Sequence, residues 1–186
     1  DDDKMSKVIL NVGHGGLTKD PGACGNGIRE HYWNKEFVET ILIPKLEEAG
    51  IKYVEVIQTV YKTLASKING VAAKGDITLS FHLNASDSNA EGPEMLYYVK
   101  SSNSKRLAEI LQKNVLNALK IEHDRRGIKP KTLADRGGSL LVKTSTPCVI
   151  LEPAFVTTLS DISRLDLYKK EYADAIVKSI KEYFEG

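Results

Sequence analysis

With 186 residues, 41% of them hydrophobic and 27% charged, the chain has the length and balance of one globular domain with a full core, which excludes a disordered or fibrous protein. A formal net charge of +1 is too small to argue for nucleic acid as a partner. Residues 1–4, Asp-Asp-Asp-Lys, read as the remnant of an enterokinase cleavage site and are set aside from fold reasoning; removing three Asp and one Lys raises the charge only to +3.

The pattern then alternates strand and helix. Residues 7–13 (KVILNVG) are a short β-rich apolar run, the signature of a buried strand. A glycine-rich loop covers residues 13–27. Across residues 31–49, Trp33, Phe37, Ile41 and Leu46 recur at helical spacing; Pro44 is expected to kink or shorten this helix and Gly50 to stop it. Residues 53–57 predict a second strand and residues 60–74 a second helix, with Gly70 its weak point. Residues 76–84 (DITLSFHLN) and 95–99 (MLYYV) predict strands three and four. Residues 103–120 predict an amphipathic helix, with Leu107, Ile110, Leu111, Val115 and Leu119 on one face. Residues 125–143 read as loop, with a short strand near 127–129. Residues 148–151 (CVIL) predict a buried strand, and residues 168–184 a closing helix through Tyr172, Ile176, Val177 and Ile180.

This order implies a single α/β domain with a mostly parallel sheet flanked by helices, because parallel strands need crossover connections. Ligands of such sheets bind beyond the carboxyl ends of the strands. His14 ends the first strand, His82 the third and Glu152 the late one, so groups from distant parts of the chain converge on one rim. Small residues surround His14 in Val-Gly-His-Gly-Gly. Glu30 stands directly before the first helix, where a negative charge is also favourable for the helix itself. His82 lies in an apolar strand, where its ring nitrogens need partners. Glu152 follows Val-Ile-Leu directly, where burial of a carboxylate without a role is costly. Two imidazoles and a carboxylate form a set suited to catalytic zinc with a fourth position for water, whose pKa such a zinc lowers to about 7. A second carboxylate can take that proton and pass it to a leaving amine. Cys24 and Cys148 read as free thiols without a CxxC partner, so cysteine-ligated zinc is not expected.

Taken in order, Gly13-His14-Gly-Gly, Asp20-Pro21-Gly22-Ala23, Gly27-x-x-Glu30, Ser80-x-His82-x-Asn84-Ala85, Arg126-Gly127-Ile128-Lys129 and Leu151-Glu152-x-x-Phe155 resemble the zinc-dependent N-acetylmuramoyl-L-alanine amidases of the Amidase_3 type, found in bacterial autolysins and phage endolysins. Asp161 follows where that family has an acidic residue after a short polar turn. The resemblance covers residues 5–186. It implies a six-stranded sheet, one zinc held by His14, Glu30 and His82, and Glu152 as the catalytic carboxylate. It further implies peptidoglycan as substrate, with hydrolysis of the bond between muramic acid and L-alanine. Glu152 then acts as general base toward water and as general acid toward the L-alanine nitrogen. Asn84 and Arg136 stand as candidate substrate contacts, with a solvated loop charge the equal alternative for Arg136. Two departures bear on substrate detail: residues 131–143 differ from the longer Leu-rich pattern of the family, and Thr157-Thr158 replaces its Ser-Asn pair.

No apolar h-region follows Met5 and no run is long enough to span a membrane. The expectation is a phage endolysin made in the host cytoplasm without a signal peptide, acting on the wall after release as a monomer, with neither nucleic acid nor membrane as partner. Two alternatives remain: a zinc carboxypeptidase or aminoacylase acting on another amide, and a catalytically silent wall-binding module. Among other polar residues, His31, Glu36 and His123 read as surface groups, and Glu94 as a cross-strand structural residue or a neighbour of the site. The Tyr97-Tyr98 pair reads as packing rather than a sugar platform.

Overall fold

The computed structural model describes residues 5–186, so residues 1–4, read from the sequence as a cleavage-site remnant, lie outside the described residues. Strands, numbered in chain order, are β1 (Val8–Val12), β2 (Cys24–Gly25), β3 (Ile28–Arg29), β4 (Tyr53–Glu55), β5 (Ile77–Phe81), β6 (Glu94–Tyr98), β7 (Ile128–Lys131) and β8 (Cys148–Glu152). Six of them make one sheet in the order β4-β1-β5-β8-β6-β7. Every neighbouring pair is parallel except β6 with β8. β2 and β3 form a separate hairpin whose turn, Asn26-Gly27, takes positive φ at both residues (50° and 79°), as a two-residue hairpin turn requires.

The helices are α1 (Glu30–Phe37), α2 (Ile43–Glu48), α3 (Tyr61–Val71), α4 (Ser102–Ala118), α5 (Gly138–Lys143), α6 (Leu159–Leu167) and α7 (Lys169–Glu185). α1 and α2 are one helical path joined by a π-helical stretch, Val38–Leu42, in which the Ile43 N–H reaches back five residues to the Val38 carbonyl. Pro44 is the cause: it lacks an N–H and its ring crowds the preceding turn, so the helix widens instead of ending. Pro44 thus leaves a π turn in a continuous helical path, and Gly50, at φ 69°, ends the path.

Strand alternation divides the core. Val8, Leu10, Ile77, Leu79, Phe81, Val149 and Leu151 pack with Phe37, Leu42, Leu111, Val115, Ile176 and Ile180 from α1, α4, α7 and the π stretch. Ile9, Leu96, Cys148 and Ile150 point the other way, against Leu64 and Ile68 of α3 and Leu140 and Leu141 of α5. Both faces are covered, which is why the central strands read as unbroken apolar runs. β7 carries Pro130 and Lys129 at the sheet edge, where a missing N–H and a charge are tolerated.

Two helices depart from the sequence expectation, and one strand makes the mostly parallel sheet mixed. The 125–143 segment holds a six-residue helix, α5, too short to show a period. Residues 159–167 form α6, whose Ile162 and Leu165 are buried at helical spacing. β6 runs against β8 because the connection from Phe81 to Glu94 contains no helix, and without a crossover the chain cannot return to start a parallel strand. That reversal places the first residue of β6, Glu94, on the same rim as the last residue of β8, Glu152. Among the described residues no helix is long and apolar enough to cross a membrane.

Candidate metal centre

His14, Glu30 and His82 meet at the carboxyl end of β1 and β5, their ligand atoms all within 4.8 Å of one another. The turn after β1 makes this possible. His14 holds the left-handed conformation (φ 66°), a strain of about 1–2 kcal/mol for a residue with a Cβ. Gly13 before it lies against the His82 ring, where a Cβ would come within 2.2 Å of Cε1. Gly22, at φ 70°, fits under the other two ligands; a Cβ there would meet Glu30 Oε1 at 2.6 Å and His14 Cδ2 at 2.7 Å. Glycine at these two points lets the backbone approach closely enough for the three side chains to converge.

Glu30 is the first residue of α1 and only 2% exposed. Its Oε1 accepts the Ala23 N–H (2.8 Å) and its Oε2 the Leu83 N–H (3.0 Å). On their other sides, Oε1 faces His14 Nε2 at 3.2 Å and Oε2 faces His82 Nδ1 at 3.1 Å. Burial alone would raise the Glu30 pKa; hydrogen bonds to His14 and His82 overcome it and hold the carboxyl far below its usual range. The hydrogen bond to Glu30 in turn pushes His14 up to about 9 against the opposing effect of burial, with Asp20 adding to the rise. The centre therefore attracts positive charge.

The far nitrogen of His14 is committed. His14 Nδ1 lies 2.8 Å from Asp20 Oδ2, and Asp20 Oδ1 accepts the Gly22 N–H at 2.9 Å. A carboxylate only accepts, so Nδ1 carries a hydrogen throughout; the second proton of the charged ring is the Nε2–H that faces Glu30, and once it is lost the Nε2 lone pair is the free donor. A carboxylate behind a histidine is the usual outer partner of a metal-binding imidazole. The two rings meet edge to face, with centroids 5.3 Å apart. Two imidazole nitrogens and a carboxylate oxygen, each anchored from behind, fit the three-ligand set of catalytic zinc.

Glu152 stands beside His82, one step beyond the Phe81–Leu151 pair of the β5–β8 ladder. Directly across the antiparallel ladder it faces Glu94. Burial, then the negative charges of Glu94 and Glu30, push the Glu152 carboxyl up to about 8. Glu94 is itself gripped: Asn84 Nδ2 donates to its Oε1, and Arg126, stacked over the Phe155 ring at 4.7 Å, approaches its Oε2 at 3.3 Å. Both readings open for Glu94 in the sequence hold: it is the cross-strand partner of Glu152 and, through that pairing, a neighbour of the site.

Asn84 thus spends its amide orienting Glu94, while its backbone bridges to Phe155. Arg136 is exposed in the turn before α5, with no hydrogen bond to the centre among the described residues. His31 is not the outward-pointing surface group expected. Its Nδ1 donates to the Gly13 carbonyl at 2.8 Å and its ring lies where a Gly15 Cβ would be, so it braces the His14 turn from below. Asp161 is buried and accepts the N–H groups of Gly92 (3.1 Å) and Phe155 (2.8 Å), tying the loops that follow β8 and precede β6. Cys24 and Cys148 are free thiols, as expected. Sequence reasoning gave Asp20 no role of its own; its one signal is a short carboxylate in a glycine-rich loop six residues after His14.

Comparison with known proteins places the chain in a family. Residues 8–182 match the family profile described as Amidase_3, N-acetylmuramoyl-L-alanine amidase. The N-acetylmuramoyl-L-alanine amidase LytC of Bacillus subtilis (strain 168) is 29% identical over 183 residues, 95% of this chain and 35% of LytC. The endolysin of Bacillus phage SPP1 is 30% identical over 183 residues, 96% of this chain and 66% of the endolysin. The chain therefore spans about a third of the one relative and about two thirds of the other. The solved structure of N-acetylmuramoyl-L-alanine amidase from Clostridium difficile 630 superposes with a TM-score of 0.80 at 24% identity, covering 97% of this chain and 98% of that one, which establishes the shared fold. With a profile match across nearly its whole length, the chain belongs to the Amidase_3 family of N-acetylmuramoyl-L-alanine amidases.

Proposed function

We propose that residues 5–186 are the catalytic domain of a zinc hydrolase that cleaves the amide bond between N-acetylmuramic acid and L-alanine in peptidoglycan. The observation that carries this reading is the pair of imidazole nitrogens facing opposite oxygens of one buried carboxylate, with Glu152 on the adjoining strand. Family membership supports the choice of bond. His14, Glu30 and His82 hold one zinc, which when bound supplies Lewis-acid polarisation of the scissile carbonyl.

The rest is done by the chain. Asp20 fixes the His14 ring so that Nε2 faces the centre. Glu152 takes a proton from the attacking water and delivers it to the departing L-alanine nitrogen. A proton affinity near neutrality suits a group that must both accept and release a proton, and burial together with the Glu94 charge provides it. Glu94, held by Asn84 and Arg126, acts through Glu152. Asn84 serves substrate binding by ordering this rim. Arg136, exposed on its turn, stands outside the centre, so a substrate contact and a solvated loop charge both fit it.

A role in phage lysis, acting on the wall after release from the host cytoplasm, is supported by the likeness to the SPP1 endolysin. The comparable likeness to the amidase LytC favours a bacterial amidase as the second reading. Metal analysis of variants tests the assignment. His82→Ala is expected to lose the zinc along with hydrolysis, whereas Glu152→Ala keeps one zinc per chain and loses hydrolysis. A fully active Glu152→Ala, or a His82→Ala that retains its zinc, refutes it.

A further inference from the structure

Two fully buried polar side chains, Asn11 and Ser80, lie behind the centre on the face of the sheet covered by α3 and α5. They are partners in the β1–β5 register, and Ser80 is two residues before His82, on the same side of its strand. Three contacts link them in a row. Asn11 Nδ2 donates to the Val56 carbonyl at 3.1 Å, the Ser80 hydroxyl lies 2.8 Å from Asn11 Oδ1, and His82 Nε2 lies 3.1 Å from Ser80 Oγ.

The row has only one consistent set of hydrogens. The Val56 carbonyl only accepts, so Asn11 turns its NH2 toward it and its Oδ1 toward Ser80. Asn11 Oδ1 also only accepts, so the single hydroxyl hydrogen of Ser80 points at it. What Ser80 offers to His82 is then a lone pair, and His82 Nε2 must carry a hydrogen. A neutral imidazole has one N–H, so Nδ1 is left bare, facing Glu30 Oε2 at 3.1 Å. Two acceptors at that distance repel unless a cation sits between them: the second proton of the charged ring, which gives the Glu30 contact described above, or a metal ion that takes its place.

We propose that Asn11 and Ser80 are positioning residues that lock His82 with its hydrogen on Nε2 and present Nδ1 as the metal-binding atom. The inference rests on the metal reading above. It also makes the centre asymmetric: His14, backed by a carboxylate at Nδ1, binds through Nε2, and His82, backed by a serine at Nε2, binds through Nδ1. The reference point for the row is a backbone carbonyl beside β4, so the tautomer is set by the fold and exists before any metal arrives.

The test uses the full chain labelled with 15N. Long-range 15N–1H correlation spectra of the zinc-free protein, at a pH about two units above the ordinary imidazole value, report which His82 nitrogen carries hydrogen. Loading with 113Cd reports which nitrogen couples to the metal. The expected results are hydrogen on Nε2 and cadmium coupled to Nδ1. Ser80→Ala, a subtraction of one buried atom, is expected to mix the tautomers and weaken zinc by about 10–100-fold in chelator competition. A hydrogen on Nδ1, cadmium coupled to His82 Nε2, or a Ser80→Ala protein with the parent's tautomer and zinc affinity overturns the proposal. A parent that binds no zinc refutes the metal reading instead, and the tautomer of the zinc-free ring still decides the role of the pair.

Discussion

Gly22→Ala is the sharpest substitution for separating backbone strain from metal assembly. The new methyl group would stand 2.6 Å from Glu30 Oε1 and 2.7 Å from His14 Cδ2. Ordinary carbon contacts begin near roughly 3.5 Å, so one or both ligands must retreat by about half an ångström or more. Metal–ligand distances tolerate only about 0.2 Å. Separately, alanine at φ 70° costs about 1–2 kcal/mol, which in a chain of this size lowers the melting temperature by about 2–8 °C. Gly50→Ala is the control: its φ is 69° and no atom lies within 4 Å of the added Cβ. Thermal unfolding in a chelator and zinc competition against a chromogenic chelator read the two effects apart. Both variants are expected to melt earlier, and only Gly22→Ala to bind zinc at least about tenfold more weakly. Parental zinc affinity in Gly22→Ala, or an equal loss in Gly50→Ala, refutes the packing argument.

Asp20→Ala removes the acceptor that fixes His14 and is expected to weaken zinc by about 10–100-fold, measured by the same competition; an unchanged affinity contradicts that role. In the pH profile of hydrolysis, Glu152 must be ionised to act as base, so activity rises with pH along a limb that its carboxyl, pushed up by burial and by Glu94, helps to set. Glu94→Gln removes a negative charge, eases that ionisation and is expected to move the limb to lower pH; a shift upward contradicts the pairing. In the zinc-free protein His14 binds its proton more tightly folded (about 9) than at its ordinary value of 6.5. The stability it contributes is complete below about pH 6.5 and is lost as pH rises to about 9, so the melting temperature falls across that window. His14→Gln is expected to flatten the fall, and a flat parent profile contradicts the His14–Glu30 contact.

The central strands and the long helices α4 and α7 were legible because burial on both faces writes continuous apolar runs and helical periods into the sequence. α5 was not, since six residues hold less than two helical turns. The reversal of β6 was readable in principle from the missing helix between Phe81 and Glu94, and missing it hid how directly Glu94 faces Glu152. His14, Glu30 and His82 were visible as strand-end and helix-start polar residues, and the ordered motifs joined them. Asp20, Asn11 and Ser80 were not assigned roles. Their function depends on which nitrogen of a histidine each one touches, and that is set by register and ring orientation. His31 was misjudged because helical position alone does not show that the β1 turn folds back over it.

The most direct measurement is mass analysis of purified peptidoglycan digested by this chain with zinc bound. Release of stem peptides bearing a free L-alanine amino group, with the glycan strands intact, is the predicted result. Cleaved glycans, or peptides trimmed at their carboxyl ends with the muramoyl bond whole, would contradict it.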